Sequence, residues 1–202
     1  MYTLYYLPDA CSLATQTVLL ELGQTVEIIN KQSVKDYESI NPVGDVPVLV
    51  ENGIARREGA AILLHLLEKH PNKMMPTEGL EKERAVENIL FANATMHPAY
   101  GRLFFIANNI HEDAAKRAAY EAAAGAINHL WNVVEQQLED QDFLGGAHPS
   151  AADIMLTVYS RWGGSFPVDI QMGPKTQKMV EAVLALPSFQ QALTNEQRQS
   201  AA

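Results

Sequence analysis

Apolar and polar positions change their period near residue 70 of this chain. Before it, short runs rich in β-formers alternate with helical spacing. Tyr2 to Tyr6 reads as a strand that ends at the turn signal Leu7-Pro8-Asp9. Leu13, Val18, Leu19 and Leu22 then recur with near-helical spacing over Ala10 to Leu22, and Gly23 suits the residue that closes such a helix. Thr25 to Ile29 predicts a second strand, and Val34 to Ile40 one or two helical turns. Val46 to Val50 predicts a third strand, although Pro47 has no N–H for a ladder. Glu51-Asn52-Gly53 is a hairpin signal, with Ile54 to Arg57 pairing back. Gly59 to His70 places Ile62, Leu63, Leu66 and Leu67 on one helical side, and Pro71 stops it. The order is β-α-β-(α)-β-β-α. A right-handed crossover makes the first two strands parallel, and the tight hairpin makes the last two antiparallel.

Pro71 to Gly79 carries two prolines and turn residues and reads as a linker. Beyond it no strand pattern occurs. Leu80 to about Asn109 is one long helical pattern with a kink expected at Pro98. Asp113 to Leu138 is a second helix, Ser150 to Trp162 a third, Lys175 to Leu186 a fourth and Ser188 to Leu193 a short last one, with a polar tail from Asn195 to Ala202. Ser150-Ala151-Ala152-Asp153 has the form of a capping box.

Composition narrows the function. The 202 residues are 47% hydrophobic and 19% charged, which excludes a wholly disordered chain. No apolar run reaches the roughly 18 residues of a membrane span, and the N-terminus has no basic n-region, so a cytoplasmic location is expected. Fifteen basic against 24 acidic side chains give −9 at neutral pH. The first 77 residues carry −3 and the rest −6, so neither part has the footprint of a nucleic-acid or anionic-lipid binder. The six histidines are scattered, and His65 and His70 are not spaced i, i+4, so no metal site is expected.

The single cysteine, Cys11, excludes an internal disulfide framework. Most lone cysteines are small buried hydrophobes. This one lies just inside a helix start, where free amides and the helix dipole favour negative charge and can lower a thiol pKa. Tyr6 and Ser12 are near enough in sequence to present hydroxyls to the same spot, or else to serve as a half-buried strand aromatic and a helix cap. A cis bond at Val46-Pro47 would leave the Val46 amide and carbonyl free for a peptide-like ligand; an edge-strand proline is the plainer reading. Glu58-Gly59 opens a helix. Its carboxylate can accept an α-amino group while the amides of Gly59 and Ala60 hold a carboxylate, or Glu58 can simply cap the helix.

Taken in order, Tyr5-Tyr6-Leu7-Pro8-Asp9-Ala10-Cys11-Ser12-Leu13, Asn41-Pro42-Val43-Gly44-Asp45-Val46-Pro47-Val48-Leu49, Arg57-Glu58-Gly59-Ala60-Ala61-Ile62, Phe143-Leu144-Gly145-Gly146 and Ser150-Ala151-Ala152-Asp153 resemble a cytosolic glutathione transferase, most closely the bacterial beta class. The resemblance implies an α/β thioredoxin-like domain over 1–72, a linker over 73–79 and an all-α domain over 80–202, usually in a homodimer. It implies glutathione as co-substrate. Cys11 would be the class cysteine, able to form a mixed disulfide with glutathione. Tyr6 and Ser12 would line the thiol site, Val46 and Pro47 would hold the cysteinyl backbone, Glu58 and Gly59 the γ-glutamyl end, and His97 would lie near the sulfur. Tyr100, Phe104, Phe105, Trp162 and Phe166 are candidate walls for a small electrophilic or disulfide substrate.

The chain also departs from the class. Pro98 follows His97 where Lys is frequent, and Leu90 and Ala94 stand where polar residues reach the partner subunit. The loop before Asn41 is short, leaving Lys31 and Lys35 both as candidates for the glycine carboxylate. Two readings follow: an enzyme that uses glutathione thiolate for conjugation or thiol–disulfide exchange, or a non-catalytic ligand- or partner-binding protein on the same fold.

Overall fold

The computed structural model describes residues 1–200; residues 201 and 202 of the expected polar tail lie outside them. Strands β1 (Tyr2–Tyr6), β2 (Val26–Asn30), β3 (Val48–Glu51) and β4 (Ile54–Arg57) form one sheet in the order β2-β1-β3-β4. β1 and β2 run parallel with Leu4 opposite Ile28; β3 runs antiparallel to β1 with Leu49 opposite Leu4, and β4 antiparallel to β3. The hairpin turn puts both Asn52 and Gly53 at positive φ, as a two-residue turn of this hand requires. β3 starts two residues later than the apolar run, because Pro47 has no N–H to give the ladder.

Helices α1 (Ser12–Glu21) and α3 (Gly59–Lys69) flank the sheet, and the predicted polar segment resolves into a 3₁₀ turn and α2 (Tyr37–Ile40). α1 has no amphipathic stripe: every residue from Ser12 to Leu19 is buried. Such a helix must be covered on both sides. Leu19 joins Tyr2, Leu4, Tyr6, Leu49, Ile62 and Leu66 in the sheet's core, while Leu13, Ala14 and Val18 join the core of the helical part. Glu51 ties the sheet to α3 through the Lys69 ammonium and His65 Nε2 at 3.1 Å, and these contacts hold its carboxyl down at about 2.

The helical part consists of α4 (Gly79–Phe91), α5 (His97–Asn109), α6 (Asp113–Leu138), α7 (Ala151–Ser160), α8 (Pro174–Leu184) and α9 (Pro187–Ser200). α7 lies at its centre, buried from Ala151 to Tyr159. The long pattern from Leu80 is broken by a π-helical stretch, Ala92–Met96, just ahead of Pro98. Proline offers no N–H to the residue four before it and crowds that carbonyl, so the ladder loosens upstream of the ring. α9 runs well beyond the short helix the sequence predicts. Phe189, Ala192 and Glu196 keep a buried helical face through the supposed tail. No helix among the described residues is long and apolar enough to cross a membrane.

Two predictions concern stability. Asp153 is fully buried and accepts from Ser150 N at 2.7 Å, Ser150 Oγ at 2.6 Å and Leu144 N at 3.0 Å, completing the capping box. Asp153→Ala strands these donors and should cost about 3 kcal/mol in urea unfolding. For Glu51, a folded pKa of about 2 against an ordinary 4.5 gives stability that is present above pH 4.5 and lost as pH falls towards 2. Glu51→Gln should lower stability by about 1–2 kcal/mol at neutral pH and flatten that acid limb in a pH series of melts.

Candidate functional site

The connection from β1 to α1 is a tight turn. Ala10 N donates to Leu7 O at 3.2 Å, and Ser12 Oγ both accepts from Leu7 N and donates to Leu7 O. Asp9 takes the left-handed conformation at φ 57°. Its backbone carbonyl accepts from Trp162 Nε1 at 2.7 Å, its amide donates to Glu196 at 3.1 Å, and its carboxylate pairs with Arg161 at 2.6 Å. Burial pushes the Glu196 carboxyl up to about 7. The helical part therefore grips the turn that carries Cys11.

Cys11 sits at the cap position of α1, one residue ahead of the first helical one, with its thiol half-buried. The sulfur donates to Val46 O at 3.2 Å. The expectation of a lowered thiol pKa is corrected here. Burial pushes the thiol up to about 11 and Asp45 adds to the rise, while the amides of Cys11 and Ser12 recover only part of it. Desolvation outweighs the helix start.

The Val46–Pro47 peptide is cis, and both residues line a cavity of about 260 Å³. The loop before them is held from behind: Asp45 O accepts from Tyr37 OH at 2.9 Å and Asn41 Nδ2 at 2.8 Å, and Gly44 O accepts from Lys31 Nζ at 2.7 Å. Opposite, Glu58 opens α3 at φ 68°, a conformation that costs a non-glycine residue of order 1–3 kcal/mol. Its side chain makes no capping bond, so the plain capping role is not the one it plays. Gly59 lies close to two other elements: a Cβ there would stand 3.6 Å from Asn93 Oδ1 and 3.7 Å from Pro47.

His97 completes the lining from the C-terminal end of the π-helical stretch. It stacks on Tyr159 with ring centres 5.0 Å apart and leans on Trp162 at 5.2 Å. Burial lowers its pKa, against a smaller opposing pull from Asp45, so the imidazole is neutral at neutral pH.

The structure thus gathers Cys11, Val46, Pro47, Glu58, Gly59 and His97 around one cavity. It leaves Tyr6 and Ser12 outside the lining: Tyr6 is fully buried in the core beside the sheet, and Ser12 is spent on closing the turn. Neither Lys31 nor Lys35 reaches the cavity. Among the aromatic candidates, Tyr100 is fully buried and accepts from Trp131 Nε1, whereas Phe104 and Phe105 are exposed and Phe166 packs edge-on against Phe104 at 4.8 Å. Asn41, Asp45, Asn93 and Tyr159 also line the cavity. The local pattern flags none of them as site residues, although Asn93 and His97 share a helical spacing of four and Asp45 adjoins Val46.

Known proteins resemble this chain in sequence and in fold. The glutathione S-transferase N-terminal domain pattern matches residues 15–74, and the C-terminal domain pattern matches residues 117–161. Glutathione S-transferase GST-4.5 of Xanthomonas campestris pv. campestris is 32% identical over 96% of this chain and 98% of its own. The bacterial beta class enzyme of Sphingomonas chungbukensis superposes with a TM-score of 0.83 at 26% identity, covering 96% of this chain and 98% of that one. A sphingomonad glutathione S-transferase complexed with glutathione superposes with a TM-score of 0.84 at 27% identity over the same shares. Both domain patterns in order, and a relative of this identity over nearly its full length, establish that the chain belongs to the glutathione S-transferase family, with bacterial beta-class members among its structural neighbours.

Proposed function

We propose that this chain is a glutathione transferase that binds glutathione in the cavity between Cys11, Val46 and Glu58 and directs its sulfur at a small hydrophobic electrophile or a disulfide. One observation carries the reading. The cis Val46–Pro47 peptide, an uncapped carboxylate at Glu58 beside the α3 amides, and a thiol at the start of α1 line one cavity of about 260 Å³. The γ-glutamyl end has its ammonium group on Glu58 and its carboxylate on the α3 N-terminus. The cysteinyl backbone pairs with Val46. The family's homodimer and the division into domains at 1–72 and 80–202 belong to the same reading.

Glutathione supplies the nucleophilic sulfur. His97, neutral and at the cavity wall, accepts the thiol proton. Cys11 keeps its own proton at neutral pH and donates to the developing thiolate, a role its present bond to Val46 O prefigures. In conjugation the new carbon–sulfur bond forms as the leaving group departs with its electron pair. In exchange, the sulfur displaces one thiolate of a disulfide, which then takes up a proton. Phe104, Phe105 and Phe166 offer the apolar surface for the second substrate. Conjugation by glutathione's own sulfur is favoured over attack by Cys11, because burial holds the Cys11 thiol protonated.

The following outcomes test this. Alkylation of Cys11 by iodoacetamide should be slow at pH 7 and climb steeply between pH 9 and about 11, since the raised pKa withholds thiolate until then. Cys11→Ala should keep conjugation within about ten-fold, and His97→Ala should lose about 100-fold in kcat/KM at neutral pH. Unchanged disulfide reduction in both Cys11→Ala and Cys11→Ser would remove Cys11 from the exchange path. Glu58→Ala should raise the KM for glutathione about ten-fold or more, leaving kcat nearly as it was. No heat of binding with millimolar glutathione in titration calorimetry would defeat the proposal.

A further inference from the structure

The charges around the cavity do not suit the whole of glutathione. With the γ-glutamyl end at Glu58–Gly59, the cysteinyl backbone on Val46 and the sulfur toward Cys11, the third residue meets the Asn41–Asp45 loop. That loop gives the lining Asn41, Val43 and Asp45. No lysine or arginine lines the cavity. The cations near the loop stand outside this cavity: Lys31 and Lys35 line a separate groove on the other side of Gly44. Lys31 holds Gly44 O at 2.7 Å and lies 5.8 Å above the Tyr37 ring, and the Arg57 guanidinium holds Ile40 O at 3.0 and 2.5 Å. Among the described residues no cation pairs with Asp45.

Asp45 is an exposed side chain on a braced backbone. Its carbonyl is fixed by Tyr37 and Asn41, so the backbone that carries the carboxylate is held at the cavity mouth. It lines the same cavity as Cys11 and His97, so its charge faces the site as well as the solvent. A free carboxylate on the third residue would lose water there and gain a like charge in place of a partner.

We propose that the site selects against a free C-terminal carboxylate, and takes best a γ-glutamyl-cysteinyl thiol whose third residue ends in a neutral amide or carries an amine, with Asp45 setting that preference. The proposal rests on the glutathione reading above. An amide removes the repulsion, and an amine converts it into an exposed ion pair. Val43 contributes by presenting an apolar side chain where a cation would have favoured the acid.

Titration calorimetry on the full chain, with glutathione, its C-terminal amide and its 1,3-diaminopropane amide, tests the idea. The wild type should bind the amine-bearing thiol tightest and glutathione weakest, with about a five-fold step between successive ligands at low salt and smaller steps at high salt. Asp45→Asn should compress the series, and Asp45→Lys should place glutathione first. Because the Asp45 side chain is exposed and only its backbone is bonded, both variants should keep the wild-type circular dichroism spectrum. Equal affinity of the wild type for the three thiols, or an unchanged order in Asp45→Asn, would overturn the preference while leaving glutathione binding intact. Failure of all three to bind at millimolar concentration would overturn the glutathione reading and this proposal together.

Discussion

The turn at Asp9 is the constraint on which the site depends. A single residue in a left-handed conformation offers its carbonyl, amide and carboxylate in three directions, and each is taken by a different group of the helical part. The Arg161 pair is largely solvated and contributes little by itself. The bonds from Trp162 and to Glu196 are more sheltered, and breaking either strands a polar group. Two residues later the chain delivers Cys11. Its position is therefore set by residues more than 150 positions away as well as by the strand and helix that it joins.

The same enclosure governs the chemistry. A helix start favours a thiolate, but the walls that shape the cavity also remove water from the thiol, and the second effect is larger. His97 is subject to the same pressure in the opposite sense, since burial disfavours its cation. The outcome at neutral pH is a protonated thiol beside a neutral imidazole, a donor and an acceptor facing a shared space. That pairing suits a ligand that brings its own sulfur.

The helical part is both wall and brace. α1 is buried along its length because sheet and helices press on it from two sides. α9 reaches back across it, bringing Glu196 to the Asp9 amide, and the 3₁₀ turn that follows α7 brings Arg161 and Trp162 to the turn from another direction. The π-helical stretch ahead of Pro98 puts Asn93 and His97 opposite Gly59 and Pro47, where a sheet-side and a helix-side element come within van der Waals reach.

Periodicity and turn residues alone determined the strand order of types, the hairpin, the helical second half and the capping box, because each depends on neighbours a few positions apart. Family-like spacing also marked Cys11, Val46-Pro47, Glu58-Gly59 and His97. Where those marks led was a tertiary matter. Tyr6 and Ser12 lie as near Cys11 in sequence as any residue, yet one faces the core and the other closes a turn. The length of α9 escaped the local reading because its polar surface masks a face buried against α1. The sign of the Cys11 shift and the place of Asp45 at the cavity were likewise out of reach. Desolvation and unscreened charge depend on what surrounds a group in space, and only the packing of distant segments decides that.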